Sequence, residues 1–218
     1  MAVLRLELAG LPSPCRILAI GCHPDDIEIG CGGTILRLVD ALEEVEVVWV
    51  VLTGAGARAE EVHRSAAAFL DGVERRDVLT GEFRDGFLPY AGSDVKQFFE
   101  DLKPRIEPDL IFTHYRHDLH QDHRLACELT WNTFRHHLIL EYEIPKYDGD
   151  LGSPNVFVQL TEDVAQAKVT KLLEHFETQL DRHWFTEDLF LGLMRLRGME
   201  SASQTRYAEG FYGRKVVL

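Results

Sequence analysis

The sequence predicts an α/β sandwich built on a mostly parallel sheet. Three observations carry this reading. Short apolar runs bounded by turn residues recur along the chain, as in R-I-L-A-I-G, V-E-V-V-W-V-V-L and D-L-I-F-T. Segments with apolar residues at helical spacing separate them, the β-α alternation of a layered fold. The runs are apolar at consecutive positions, as strands covered by helices on both faces must be.

Taken in order, residues 16–21 form the first expected strand, stopped by Pro24, which has no N–H to give a ladder. Ile35, Leu36, Leu38, Val39 and Leu42 place a helix over 30–44. Residues 45–52 make a second strand, and the Ala-rich stretch 58–70 a second helix. A strand is expected at 76–80. A helix capped by Ser93 runs to Leu102, and Pro104 and Pro108 punctuate the segment after it. Residues 109–113 form a further strand, 123–137 a helix, 138–143 and 155–160 two more strands. T-E-D at 161–163 starts a helix over about 164–177, Thr186-Glu187-Asp188 opens a last one towards Arg197, and 207–218 adds a strand or loop. The expected architecture is a Rossmann-like three-layer α/β/α sandwich forming one domain over 1–218.

The 218 residues include 23 basic and 36 acidic ones, a net charge of −13. So acidic a surface repels phosphate backbones and argues against nucleic acid as a partner. No run of about 18 apolar residues occurs, so no membrane span is expected. The first ten residues carry charges within their apolar part and do not read as a secretory signal. Cys15, Cys22, Cys31 and Cys127 form no C-x-x-C pair, which favours buried thiols in a reducing cytoplasm over disulfides or a soft-metal site. A small-molecule substrate is the expected partner; a homo-oligomer is compatible with the chain but not written in it.

The chemistry is concentrated in two runs about a hundred residues apart, G-C-H-P-D-D at 21–26 and H-D-L-H-Q-D-H-R at 117–124. Each comes after an expected strand, so both belong at the carboxyl ends of the strands, where open α/β sheets bind ligands. A cation that activates water needs a few protein ligands and an open position, for zinc commonly two imidazoles and a carboxylate. His23, Asp25, Asp26, His120, Asp122 and His123 are enough to hold one and to leave an acid and a base free.

H23-P-D-D-I-E-I-G-C-G-G-T34 and H120-Q-D-H-R124 resemble the paired motifs of the PIG-L/LmbE-like deacetylases, zinc enzymes that remove N-acetyl or related acyl groups, mostly from glucosamine-type sugars. K171-L-L-E-H-F-E-T-Q179 is similar to the family's late helix and R206-Y-A-E-G-F211 to its C-terminal motif. The resemblance implies His23, Asp26 and His123 as ligands of one Zn²⁺, a donor set that also accepts Fe²⁺ or Co²⁺. It implies Asp25 as general base toward water, His120 as the imidazole that steadies the oxyanion or protonates the amine, and Asp122 as the group orienting His120. A carboxylate beside His120 would favour the imidazolium. Many members carry Glu directly after the double Asp; here Ile27 stands there and Glu28 comes next, the latter read as a salt-bridge or helix-end charge.

Gly30, Gly32 and Gly33 do not match a phosphate-loop spacing and read as close packing of helix on sheet. The resemblance implies a substrate contact for Arg58, which by itself reads equally as a solvated helix residue. Lys146, with Tyr147 and Asp148, offers a sugar-binding wall in the turn-rich stretch 143–152, against the reading of a solvated loop. His114 and His117 read as hydrogen-bonding partners rather than a second metal site, His63 as a surface residue, and Trp184 and Phe185 as core rather than a sugar-stacking face. The expected function is metal-dependent N-deacetylation of an amino sugar or its conjugate. A larger-acyl amidase, a metallophosphoesterase and a non-catalytic sugar- or metal-binding module are the competing readings.

Overall fold

A computed structural model describes residues 10–216. Among them, seven strands form one sheet: β1 (Cys15–Gly21), β2 (Val45–Thr53), β3 (Arg75–Phe83), β4 (Leu110–His114), β5 (Leu138–Tyr142), β6 (Val156–Leu160) and β7 (Tyr207–Gly213). Six α-helices accompany them in the described residues: α1 (Asp26–Ala41), α2 (Ala57–Phe69), α3 (Gly92–Leu102), α4 (Gln121–Thr133), α5 (Glu162–His175) and α6 (Glu187–Glu200). The strand order is β3-β2-β1-β4-β5-β7-β6. The first five strands are parallel, and β7 runs antiparallel to both β5 and β6.

The two faces of the sheet bury separate apolar sets. Ile17, Ala19, Trp49, Val51 and Phe112 pack with α1, α2, α5 and α6 residues such as Ile35, Phe69, Val169 and Phe190. Their strand neighbours Leu18, Ile20, Val50, Leu52 and Ile111 pack on the other face with Val95, Phe99, Ala126 and Phe134 of α3 and α4 and the residue after α4. Alternate side chains point to opposite faces, so a strand covered on both sides must be apolar throughout. This is why the runs read as strands at all.

Chain order reverses at β1: β2 and β3 lie to one side of it, β4 and β5 to the other. The loops after β1 and β4 therefore open side by side at a topological switch point. Those two loops carry the His/Asp runs.

Several boundaries differ from the sequence expectation. α1 begins at Asp26 rather than residue 30, because Asp25 takes the N-cap position with φ 95° and the first turn is built from D-I-E-I. Acidic side chains suit that end of a helix, whereas the apolar spacing used to place the helix becomes regular only later. α4 ends at Thr133, short of 137, and β3 reaches Phe83 rather than 80. Ser93 lies inside the first turn of α3, whose N-cap is Ala91. The tail forms β7, while the first nine residues and the last two lie outside the described residues.

The glycines of α1 serve close approach. A Cβ on Gly30 would lie 2.1 Å from the Tyr142 ring, and one on Gly32 2.6 Å from Phe69. Tyr142 cannot retreat, since it is fully buried and its hydroxyl donates to the Ile20 carbonyl at 2.6 Å. Gly30→Ala is therefore expected to lower stability by about 1–3 kcal/mol despite alanine's better helix propensity; a denaturant midpoint at or above that of the wild type would contradict it. Farther along α1, the Glu209 carboxylate of β7 accepts the N–H groups of Gly33 (2.8 Å) and Thr34 (2.7 Å), and Lys168 of α5 binds both Glu209 (2.7 Å) and the Ile29 carbonyl (2.6 Å). This buried pair fixes the helix that begins with the D-D motif.

Candidate metal and active site

Three side-chain atoms from two distant runs meet at the switch point. Asp26 Oδ2 lies 3.3 Å from His23 Nδ1 and 3.5 Å from His123 Nε2, and these two nitrogens are 3.2 Å apart. Asp26 is fixed in place by the backbone N–H groups of Cys22 (3.0 Å) and His23 (2.7 Å), which its Oδ2 accepts. The His114 ring lies beneath, its Nε2 3.2 Å from the same oxygen and its plane stacked 3.8 Å from His123.

The outer nitrogen of each ligand-type histidine faces a carboxylate. His123 Nδ1 is 2.9 Å from Asp118 Oδ2, and His23 Nε2 is 3.3 Å from Asp122 and 3.1 Å from Asp85. Those contacts place a proton on each outer nitrogen, leaving the inner nitrogens with lone pairs aimed at each other and at Asp26. Such an arrangement is repulsive unless a cation, a metal ion or a proton on His23, lies among the three atoms; burial lowers the His23 pKa, but Asp26, Asp122 and Asp85 outweigh it and hold it well above the ordinary imidazole value. A tetrahedral zinc with bonds of about 2.0–2.1 Å holds its ligand atoms about 3.3–3.4 Å apart, matching the observed triangle. His23, Asp26 and His123 thus fit a divalent ion. Other groups that come together nearby are His23–His120–His123, Cys22–Asp26–His114, His114–Asp118–His123 and His23–Asp85–Asp122.

Asp25 and Asp26 are adjacent yet differently placed, since the left-handed backbone at Asp25 turns the two side chains apart. Burial, and then the neighbouring Asp26 charge, raise the Asp25 carboxyl well above the usual carboxylate range against the pull of Arg58, 3.7 Å away. Burial also pushes Asp26 upward, but the charges of His123, His114 and His23 outweigh it and hold Asp26 well below that range. Burial, reinforced by His114, brings His123 down to about 4, consistent with an imidazole whose lone pair is available.

The expectation for Asp122 needs correcting. Its carboxylate does not orient His120. It accepts the N–H groups of Gly86 (2.8 Å) and Leu88 (3.2 Å) and faces His23. Residues two apart at a helix start project in different directions, and only the backbone N–H of Asp122 reaches His120, at Nδ1 (3.3 Å). Nor does the environment favour an imidazolium at His120: burial, and after it the charge of His23, lowers its pKa. With Nδ1 accepting a hydrogen bond, its Nε2 carries the proton.

An open cleft of about 230 Å³ leads to the triangle, lined by Asp25, Arg58, Asp85, His120, Ile144, Pro145, Lys146, Tyr147, Gln179 and Trp184 among others. Of the 143–152 stretch, Ile144, Pro145, Lys146 and Tyr147 wall the cleft, and Asp148 is not among its lining residues. Of the aromatic pair, Phe185 is core while Trp184 lines the cleft. Arg58 donates to the Pro24 carbonyl (2.8 Å) and the Thr178 hydroxyl (3.2 Å). Lys146 also lines the cleft, but its ammonium lies 2.8 Å from Asp118 and 2.6 Å from Asp150. Glu28 is buried, accepts from Ser65 at 2.6 Å instead of forming a salt bridge, and is pushed up to about 7 by burial.

Asp118 and Asp85 went unassigned in the sequence, whereas His114, read there as a hydrogen-bonding partner, accepts the Cys22 N–H at 3.0 Å. Asp118 had a signal, lying in the same run as His120 and His123; Asp85 had none, since its loop is brought in from β3.

Residues 18–134 match the family model described as PIG-L, GlcNAc-PI de-N-acetylase. The chain belongs to this family. The PIG-L chain is 29% identical over 168 residues to the uncharacterized deacetylase YaiS of Escherichia coli, covering 73% of this chain and 89% of that one. It is 30% identical over 129 residues to the diacetylchitobiose deacetylase of Thermococcus kodakarensis, covering 51% of this chain and 46% of that one. Among solved structures, GalB, the 4-carboxy-2-hydroxymuconate hydratase of Pseudomonas putida, superposes with a TM-score of 0.74 at 16% identity, over 94% of this chain and 98% of that one. That likeness is one of fold. No helix among the described residues is long and apolar enough to cross a membrane.

Proposed function

We propose that the chain is a zinc-dependent N-deacetylase of a glucosamine-type amino sugar or its conjugate, working as one domain. The observation that carries the reading is the triangle of His23 Nδ1, Asp26 Oδ2 and His123 Nε2 with an unligated, buried carboxylate, Asp25, beside it. A module that only binds metal or sugar has no use for that second carboxylate. The deacetylase relatives and the family model agree with this chemistry.

When bound, the ion supplies Lewis acidity toward an amide carbonyl and makes water easier to deprotonate. His23, Asp26 and His123 hold it. Asp25 takes a proton from the attacking water, and the burial that raises the pKa of its carboxyl strengthens it as a base. The water oxygen bonds to the carbonyl carbon, the C–N bond breaks, and Asp25 returns the proton to the leaving nitrogen, giving acetate and a free amine. His120 meets the developing oxyanion through its Nε2–H as a neutral donor. Asp122 acts on His23, keeping its Nε2 protonated and its Nδ1 turned inward. Tyr147 and Trp184 offer aromatic faces to the sugar. Four unpaired, buried thiols suit a cytoplasmic setting.

The test is acetate release from a panel of N-acetylglucosamine derivatives: a chitooligosaccharide, a nucleotide sugar and a glycolipid. Release that stops with chelator and returns with zinc is expected. No release from any of them, or release indifferent to chelation, would overturn the reading.

A further inference from the structure

Lys146 has three N–H donors, and the protein supplies an acceptor for each: Asp118 Oδ2 at 2.8 Å, Asp150 Oδ1 at 2.7 Å and the Ile144 carbonyl at 3.3 Å. Asp118 is itself shared. The oxygen that meets Lys146 also meets His123 Nδ1 at 2.9 Å, while Oδ1 accepts the backbone N–H of His120 at 2.7 Å. Asp150 completes a second tie between the same loops by accepting the Leu119 N–H at 2.6 Å. The cleft wall at 144–147 is thus laced to the segment that presents His120 and His123.

A carboxylate buried against a neutral imidazole needs a compensating charge if it is to stay ionised and in place. Asp118 is 2% exposed, and Lys146 is the ammonium that reaches it. We infer that Lys146 is a positioning residue that acts through Asp118, holding His123 with Nδ1 protonated and Nε2 toward the ion, and is not a substrate-binding cation. The inference rests on His123 being a metal ligand, as proposed above. Partners of this kind typically change metal affinity about 10–100-fold when removed.

The test measures zinc affinity of the full chain by competition with a chromophoric chelator, alongside steady-state kinetics. Lys146→Met is expected to weaken zinc binding about tenfold and Asp118→Asn at least as much. The double variant should be no weaker than Asp118→Asn alone, the non-additivity of two residues acting in series. At saturating zinc, kcat should fall while KM stays nearly constant. Because Lys146→Met strands two carboxylates, Lys146→Met with Asp150→Asn serves as the charge-relieved version, with the same loss of zinc affinity expected. Wild-type zinc affinity in both Lys146 variants, multiplying effects in the double variant, or a rise in KM alone would overturn the inference. If the wild-type chain binds no zinc, the metal-site reading fails and the inference with it; if the wild type binds zinc and the Lys146 variants bind it equally, only the inference fails.

Discussion

Asp25→Asn is expected to keep its zinc and to release acetate at least about a hundredfold more slowly, the low end of what a positioned acid–base group contributes. The substitution keeps size and shape, so the entry to α1 has no reason to move, and Arg58, which loses the charge of Asp25 at 3.7 Å, keeps the Pro24 carbonyl and the Thr178 hydroxyl as acceptors. Asp25 contributes nothing to the donor triangle, whose three atoms come from His23, Asp26 and His123. What disappears is the ability to take a proton from water and return it to nitrogen. Metal content and kcat measured on the same preparation separate the two roles. Near wild-type turnover would move the base elsewhere, with Asp85, the other unligated carboxylate lining the cleft, the next to substitute.

Asp26→Ala is expected to fail at the earlier stage. It removes one vertex of the triangle and also the acceptor for the N–H groups of Cys22 and His23. Zinc occupancy should fall to background and acetate release with it. Stability should drop by roughly 1–3 kcal/mol for the His23 N–H left without a partner, while the Cys22 N–H keeps His114 Nε2 at 3.0 Å. Chelation of the wild type should reproduce the loss of activity and be reversed by added zinc; Asp26→Ala should not be rescued at the same zinc concentration. A variant that retained both its metal and its turnover would show that the triangle is not the working site.

The layered fold and the meeting of the two runs were legible in the sequence because both arise from local patterns. Strands apolar on both faces announce a covered sheet, and motifs that come immediately after strands must lie on its rim. What was not legible depended on contacts across the sequence. Asp85 reaches His23 only because the loop after β3, an edge strand, returns toward the end of β1. Asp122 stands two residues from His120 but serves His23, a choice set by the docking of 86–88 against α4. Lys146 looked like a cation free for substrate because its acceptors, Asp118 and Asp150, lie on two different loops. The start of α1 is not legible because its first turn, D-I-E-I, alternates charged and apolar residues instead of showing helical spacing.

The backbone at Asp25 restricts what that position can become. Its φ of 95° lies where few L-residues are comfortable, with glycine, asparagine and aspartate the usual tenants. Glycine and asparagine satisfy the chain but hold no proton at neutral pH; glutamate could hold one but brings a longer arm and a poorer fit to the turn. Aspartate alone meets both demands, so a lineage that drifted away from it would lose either its fold entry or its chemistry, with no gradual path between them.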